Sequence, residues 1–284
     1  MPLNPSGAPL RARLLGKEDA SERVAIIRLQ LEQAFHFQAG QYAFLSLVHH
    51  RHSVSRPYSI ASPPSQTHRL EFCIRIRAQG DLTSSLRDPE VVEALQGPSP
   101  SASLTVTGPA GRLVVDPTER RDLVLVASGT GLAPFMSIVR SLNEDCLTAP
   151  HSFIPRRIYV IHGASYAKDF AYHDELRTLA EATLKNPARA LALVYLPTVS
   201  RPAENPGWQG LTGRAETLLQ ASLHPDHPRT ELQEAVRSVL QVTLRPETHL
   251  VYACGHAETV EHVFGALVRR GFRPGADLRR EETG

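Results

Sequence analysis

The hydrophobic rhythm of the chain changes at Asp116-Pro117, and that change constrains the fold more than any other feature. Beyond it, short apolar runs alternate with helical stretches. Leu123-Val124-Leu125-Val126-Ala127 is continuously apolar, as a parallel strand covered on both faces must be. A helical stretch follows from about Pro134 to Leu142. The alternation then repeats: strand Arg157–His162, helix Tyr172–Leu184, strand Leu191–Leu196, helices near Arg214–Gln220 and Glu231–Leu240, strand His249–Ala253 and helix Glu258–Arg270. Such alternation predicts a doubly wound parallel sheet, with the Pro-rich stretches 197–210 and 224–229 as loops.

Before the boundary the segments are short and strand-like: Val24–Leu29, Tyr42–Leu47, Leu70–Ile76 and Ser103–Thr107. Divided by Gly and Pro, they suggest an antiparallel β-barrel. In one of them Glu71, Cys73 and Arg75 separate by parity from Leu70, Phe72, Ile74 and Ile76, which predicts a half-buried strand. One helix, Thr83 to Leu95, is expected to interrupt the barrel. The expected organisation is therefore two domains: a β-barrel over 1–117 and an α/β doubly wound parallel-sheet domain over 118–284.

Bulk properties exclude several function classes. A net charge of +2 over 284 residues, without a basic stripe, argues against nucleic acid as a partner. No apolar run approaches the ~18 residues of a membrane span. Met1 to Leu10 lacks the apolar core of a signal peptide, so a cytoplasmic protein is expected. The cysteines, Cys73, Cys146 and Cys254, are too few and too scattered for a disulfide scaffold or a four-thiolate cluster.

Chemistry-bearing residues concentrate in a few stretches. Arg56-Pro57-Tyr58-Ser59-Ile60-Ala61-Ser62 reads as a strand carrying a guanidinium, an aromatic face and two hydroxyls. A guanidinium grips phosphate through paired charge-assisted hydrogen bonds, and a ring can lie on a flat heterocycle. The plainer alternative is a barrel strand with a surface Arg and a core Tyr. Ser128-Gly129-Thr130-Gly131-Leu132-Ala133-Pro134 turns from the first parallel strand into its helix, where free N–H groups and the helix dipole suit a pyrophosphate. It departs from the G-x-G-x-x-G fingerprint, because Pro134 stands where the third Gly would be.

Gly80-Asp81-Leu82-Thr83 is a second anion candidate or an ordinary helix cap. Ser200-Arg201 and Arg214 lie where a ribose 2′-phosphate could be held, or are solvated surface charges. Cys254-Gly255 ends the last strand, with a thiol facing the ligand crevice or packed as a small hydrophobe. His49-His50-Arg51-His52 has no nearby carboxylate or thiol to complete a metal site and reads as a hairpin tip or loop.

In that order, the Arg-x-Tyr-Ser strand, the Gly-Thr-Gly-x-Ala-Pro turn and the closing Cys-Gly resemble the ferredoxin–NADP reductase family of flavoproteins over about residues 9–272. The resemblance implies FAD and NADPH as cofactors. Arg56 would pair with the FAD pyrophosphate beside Pro57. Tyr58 would stack on the isoalloxazine, with Ser59 reaching N5. Cys73, Ile74 and Arg75 would line the ribityl and phosphate path, and Gly80, Asp81, Leu82 and Thr83 would close over the phosphates. Gly129, Thr130, Gly131 and Pro134 would carry the pyridine-nucleotide pyrophosphate. Ser200, Arg201 and Arg214 would receive the 2′-phosphate, and Cys254 and Gly255 would sit beside the nicotinamide.

The implied activity is electron exchange between NADPH and a one-electron carrier, ferredoxin or flavodoxin, by a monomer. Rival readings are an NADH-dependent reductase component of an oxygenase and a non-catalytic flavin-binding redox sensor. Two departures stand out: Ser165 replaces an Arg expected after His162-Gly163-Ala164, and the sequence lacks a terminal Tyr or Trp, which implies a more open flavin face.

Overall fold

The apolar runs of the first hundred residues become six antiparallel strands. They are β1 (Leu10–Asp19), β2 (Val24–Leu31), β3 (Tyr42–His49), β4 (His52–Ser59), β5 (Arg69–Arg75) and β6 (Ala102–Ala110). The structure, a computed structural model, describes residues 7–49, 52–77, 81–97, 102–186, 189–223 and 244–282. In the order β4-β3-β6-β1-β2-β5 the sheet closes on itself through the antiparallel bridge Ile60↔Phe72, reinforced by Ala61 N–H donating to the Glu71 carbonyl. Phe35, Leu45, Ile60, Phe72, Ile74 and Val106 fill the interior and are fully buried. Strands β3 and β4 form a hairpin closed by the pair His49↔His52; His50 and Arg51 of the histidine cluster lie outside the described residues.

Two expectations need correction here. The single helix over Thr83–Leu95 is two: α1 (Asp81–Ser85) and α2 (Pro89–Gln96). Asp88 takes an extended conformation, caps the Glu90 N–H, and hands the fixed φ of Pro89 to a new helix start, which ends any continuous run. Strand β5 is also not half-buried: Glu71 and Cys73 are buried together with the apolar parity.

Glu71 tolerates burial because two guanidinium groups meet it. Arg28 Nε donates to Oε2 and Arg140 Nη1 to Oε1, each at 2.7 Å. Burial alone would push the carboxyl up, but Arg140 and Arg28 hold it below the usual carboxylate range. Arg140 belongs to the same compact unit, which comprises the chain through Val115 together with Ala133–Ser141. From that segment Arg140 also donates to the Ala61 carbonyl, and the Ser137 hydroxyl donates to the Ser62 carbonyl at 2.7 Å. The end of the Arg56–Ser62 stretch is thereby pinned.

The second unit, Asp116–Leu132 with Leu142–Gly284, is built on a parallel sheet. Its strands are β7 (Asp122–Ser128), β8 (Arg156–Ala164), β9 (Leu191–Val199), β10 (Leu211–Thr212), β11 (His249–Gly255) and β12 (Leu278–Glu282), ordered β10-β9-β8-β7-β11-β12. Strand β7 is fully buried from Leu123 through Ala127, as its unbroken apolar run predicts. The helices are α3 (Ala133–Thr148), α4 (His173–Leu184), α5 (Ala215–Leu223) and α6 (Ala257–Val268). Leu218, Leu219, Val260 and Val263 pack with Val124, Val126 and Ile161 in one core. The expected helix over Glu231–Leu240 and the loop 224–229 fall outside the described residues.

Replacing Arg140 by Met removes one donor from a buried carboxylate and the clamp on the Ala61 carbonyl, so the urea midpoint should fall by the equivalent of about 1–3 kcal/mol. An unchanged midpoint would show that Arg28 alone suffices.

Candidate functional site

Strand order locates the ligand-binding edge of the parallel sheet. Successive strands β8, β9 and β10 run outward on one side of β7, whereas β11 and β12 lie on the other. The order therefore reverses between β7 and β11, and the carboxyl ends of strands flanking such a reversal are where open α/β sheets bind ligands.

Both strand ends are glycine-bearing. After Ser128 the chain makes one 3₁₀ turn, Gly129–Leu132, and enters α3 with no side chain capping the helix N-terminus. Gly129 has φ +56° and faces open space, so its role is the left-handed turn itself. Gly131 is different: a Cβ there would lie 2.4 Å from the Cys254 carbonyl oxygen. Gly255, at φ +132°, would place a Cβ 2.5 Å from the Ser128 carbonyl oxygen. The Ser128 hydroxyl accepts the His256 N–H at 2.8 Å and fastens the two turns together. Gly131 thus stands against Cys254 and Gly255, and Gly255 against Ser128, while the Gly129–Leu132 turn offers main-chain N–H groups suited to a pyrophosphate.

Of the two readings of Cys254, this packing supports the small buried hydrophobe. The thiol is completely buried because the glycine turn closes over the strand end, and burial, with Glu281 nearby, pushes its pKa well above the ordinary value. Cys254 is a protonated packing group.

Behind the turn stands a polar group that the sequence reading did not select. His162 interrupts the apolar run of β8, is 1% exposed, and its Nε2 lies 3.1 Å from the Gly129 carbonyl oxygen. Burial pulls its pKa down to about 4, so it is neutral near pH 7. The one legible signal was a histidine ending an otherwise aliphatic parallel strand.

At the outer strands, Ser200-Arg201 and Gly213-Arg214 emerge side by side, because Gly213 N–H donates to Val199 and Ser200 N–H to Ala164. Each guanidinium already meets carboxylates. Arg201 contacts Glu204 at 3.3 Å and the Tyr166 hydroxyl at 3.1 Å. Arg214 meets Glu216 at 2.6 Å and Glu258 at 2.9 Å. Asn205 ties this loop down by donating to Ser165 and Arg201 carbonyls.

In the barrel, β4 carries an exposed Arg56 and Pro57, a half-buried Tyr58 and a buried Ser59. Burial raises the Tyr58 pKa against the pull of Arg56 and Arg77, so the phenol stays neutral. Helix α1 lies against β4 and brings Leu82 and Thr83 to it, both buried. Cys73 and Ile74 on β5 are buried side chains, the Cys73 thiol pushed up to about 12 by burial, so only their main chain and the exposed Arg75 are available to a ligand. Gly80 lies outside the described residues. Among the described residues no helix is long and apolar enough to cross a membrane, and no cluster of His, Cys, Asp or Glu could hold a metal.

Comparison with known proteins matches both halves. Residues 11–114 match the family model for the oxidoreductase FAD-binding domain and residues 125–264 that for the oxidoreductase NAD-binding domain. The chain is 30% identical over 207 residues to ferredoxin–NADP reductase B of Sorangium cellulosum, covering 72% of this chain and 75% of that one. It is 28% identical over 204 residues to the reductase component of phenol 2-monooxygenase from Pseudomonas sp. strain CF600, covering 72% of this chain but 51% of that one. Among solved structures, a ferredoxin NADP⁺ reductase from Neisseria gonorrhoeae with bound FAD and NADP superposes with a TM-score of 0.73 at 20% identity, over 96% of this chain and 97% of that chain.

The depressed His162 pKa makes stability depend on pH. Between the ordinary value of 6.5 and about 4 the unfolded chain binds a proton that the native state refuses, so stability falls as pH drops through that window and is flat above it. His173 and His249, also lowered by burial, act in the same direction. The loss of melting temperature between pH 7.5 and 4.5 should shrink in His162→Gln; an equal loss would refute the assignment.

Proposed function

Because the chain belongs to the ferredoxin–NADP reductase family, we propose that it is an FAD-dependent NADPH oxidoreductase serving a one-electron carrier, a ferredoxin or flavodoxin. The observation that carries this reading is the joint presence, in one chain, of the Arg-x-Tyr-Ser barrel strand and a glycine turn at the strand-order reversal of a parallel sheet. The barrel over 1–117 is the FAD domain in this reading, and 118–284 the pyridine-nucleotide domain.

The residues present fit these groups. An exposed guanidinium at Arg56 suits the FAD pyrophosphate, a half-buried neutral phenol at Tyr58 suits a flat ring, and the buried Ser59 is the next residue on the strand. Arg75, with the main chain of Cys73 and Ile74 and of Asp81 to Thr83, supplies further polar contacts to the ribityl and phosphates. FAD held there would supply the chemistry of accepting two electrons as hydride and releasing them singly. The protein's own contribution is positional. The Gly129–Pro134 turn binds pyrophosphate, Gly255 lets the end of its strand close against Ser128 beside the nicotinamide site, and Cys254 forms an apolar floor without supplying an acid or base.

Arg201 and Arg214 receive the 2′-phosphate in this reading. The exposed pairs Arg201–Glu204 and Arg214–Glu258 do not preclude it, since an exposed ion pair contributes at most about 1 kcal/mol and yields to a doubly charged phosphate, whereas the buried Glu216 keeps its hold on Arg214. The same carboxylates, with Ser165 in place of the family's Arg, favour a second reading: an NADH-dependent reductase serving an oxygenase, and one relative is the reductase component of phenol 2-monooxygenase.

Anaerobic titration of the FAD-loaded protein separates the two. Near-stoichiometric bleaching by NADPH and sluggish bleaching by NADH is expected, and equal bleaching would select the second reading. Arg201→Ala should raise the KM for NADPH at least roughly tenfold, the worth of one charged hydrogen bond, with little effect on NADH; parallel changes would remove Arg201 from the 2′-phosphate pocket. Ser59→Ala should slow flavin reduction while FAD stays bound, and loss of FAD would make Ser59 a structural residue instead.

A further inference from the structure

His162 does not act alone. Its Nδ1 lies 3.4 Å from the Tyr195 hydroxyl, and the same hydroxyl lies 3.3 Å from His173 Nδ1. The direction of each hydrogen bond follows from the far end. A carbonyl oxygen can only accept, so at Gly129 the proton must sit on His162 Nε2. In a neutral imidazole the other nitrogen is then an acceptor, and Tyr195 O–H must donate to it. The Tyr195 oxygen is left free to accept from His173 Nδ1–H. One arrangement of protons satisfies all three contacts: His173 to Tyr195 to His162 to Gly129.

Packing fixes the same geometry. Phe170 stands edge-on to His162 at 4.9 Å and stacks on His173 at 5.8 Å, and Trp208 closes over Phe170 at 5.4 Å. Tyr172, immediately before His173, holds a left-handed φ of 60°, a strained conformation for a bulky residue. That strained residue immediately precedes the first residue of α4, whose His173 ring meets Tyr195.

The consequence falls on the glycine turn. In a trans peptide the carbonyl and the following N–H point in opposite directions. Anchoring the Gly129 carbonyl on His162 therefore turns the Thr130 N–H away from the sheet interior. A glycine at φ +56° has access to other backbone conformations at little cost, so without the anchor this peptide could rotate and withdraw its N–H.

We infer that His162, oriented by Tyr195 and His173, is a positioning residue that locks the Gly129–Thr130 peptide with its N–H presented to the pyridine-nucleotide phosphate. The inference rests on the glycine turn being the nucleotide site, as proposed above. His162 touches neither nucleotide nor flavin. Its effect is on nucleotide affinity, through one main-chain donor.

The test uses the FAD-loaded protein and the oxidised nucleotides NADP⁺ and NAD⁺, whose dissociation constants are measured by calorimetry without turnover. His162→Phe keeps an aromatic ring of similar bulk but has no donor. It should weaken binding of whichever nucleotide the wild type prefers by roughly tenfold, the worth of one hydrogen bond, while FAD content is unchanged. His162→Gln, whose amide can still donate to the carbonyl, should restore binding to within about threefold of wild type. Tyr195→Phe, which frees the tautomer but leaves the imidazole, should fall between them. Equal affinities for His162→Phe and the wild type would overturn the inference, as would equal losses in His162→Phe and His162→Gln. Should His162→Phe fail to fold, an unchanged affinity in Tyr195→Phe would overturn it. Gly129→Pro, which forces a negative φ on the turn, tests the underlying site: if it leaves nucleotide binding intact, the turn is not the nucleotide site, whatever the His162 variants do.

Discussion

Two side chains that are not there hold the nucleotide edge together. Gly131 and Gly255 allow the ends of β7 and β11 to approach until main chain touches main chain, with Cβ positions 2.4 Å and 2.5 Å from carbonyl oxygens. No rotamer change could relieve such contacts, because both neighbours are backbone. Everything else at that edge follows from the approach: the Ser128 hydroxyl reaches the His256 N–H, the Cys254 thiol is sealed, and helix α3 begins with its N–H groups uncapped. From sequence, Gly129 and Gly131 read as room for a ligand. In the fold Gly131 and Gly255 make room for the protein itself, and only Gly129 faces open space.

The barrel solves a related problem with charge in place of omission. A carboxylate at position 71 on a strand buried on both faces would be costly alone. Flanked by Arg28 and Arg140 it becomes a three-residue node whose second arginine also fastens the Ala61 carbonyl. Position and chemistry are thereby joined: the strand bearing Arg56, Tyr58 and Ser59 ends in main chain held by Gln41, Glu71, Ser137 and Arg140. These hydrogen bonds give the strand a rigid backing.

Much of this was legible, and what was not has a common cause. The parallel strands announced themselves because both faces are buried, so Leu123–Ala127 could be read without knowing any partner. The family resemblance pointed to both glycine turns and to the barrel strand. Missed elements were those whose reason lies far along the chain. Strand β12 is charged, Leu-Arg-Arg-Glu-Glu, and is a strand because β11 offers it a free edge. The burial of Glu71 depends on Arg140, sixty-nine residues away. The role of His162 depends on Tyr195, thirty-three residues on. Periodicity reports local patterns, and hydrogen-bond partners at such separations leave no local trace.

The distribution of polar chemistry also says what kind of catalyst this fold can be. Groups capable of proton transfer near the nucleotide edge are held out of that role: the Cys254 thiol by burial, His162 by a depressed pKa and a carbonyl partner, Tyr195 by a phenol pushed up through burial. The edge also exposes main-chain N–H from the turn and helix start, together with the His256 side chain. Main-chain N–H groups of that kind can hold an anion. Hydride transfer between two bound cofactors asks for no more: distance and orientation set the rate, and a stray acid or base would open side reactions. The turn of the second unit is thus the complement of redox chemistry supplied by the bound groups: His162 and Ser128 spend their polar atoms on main chain instead of a substrate.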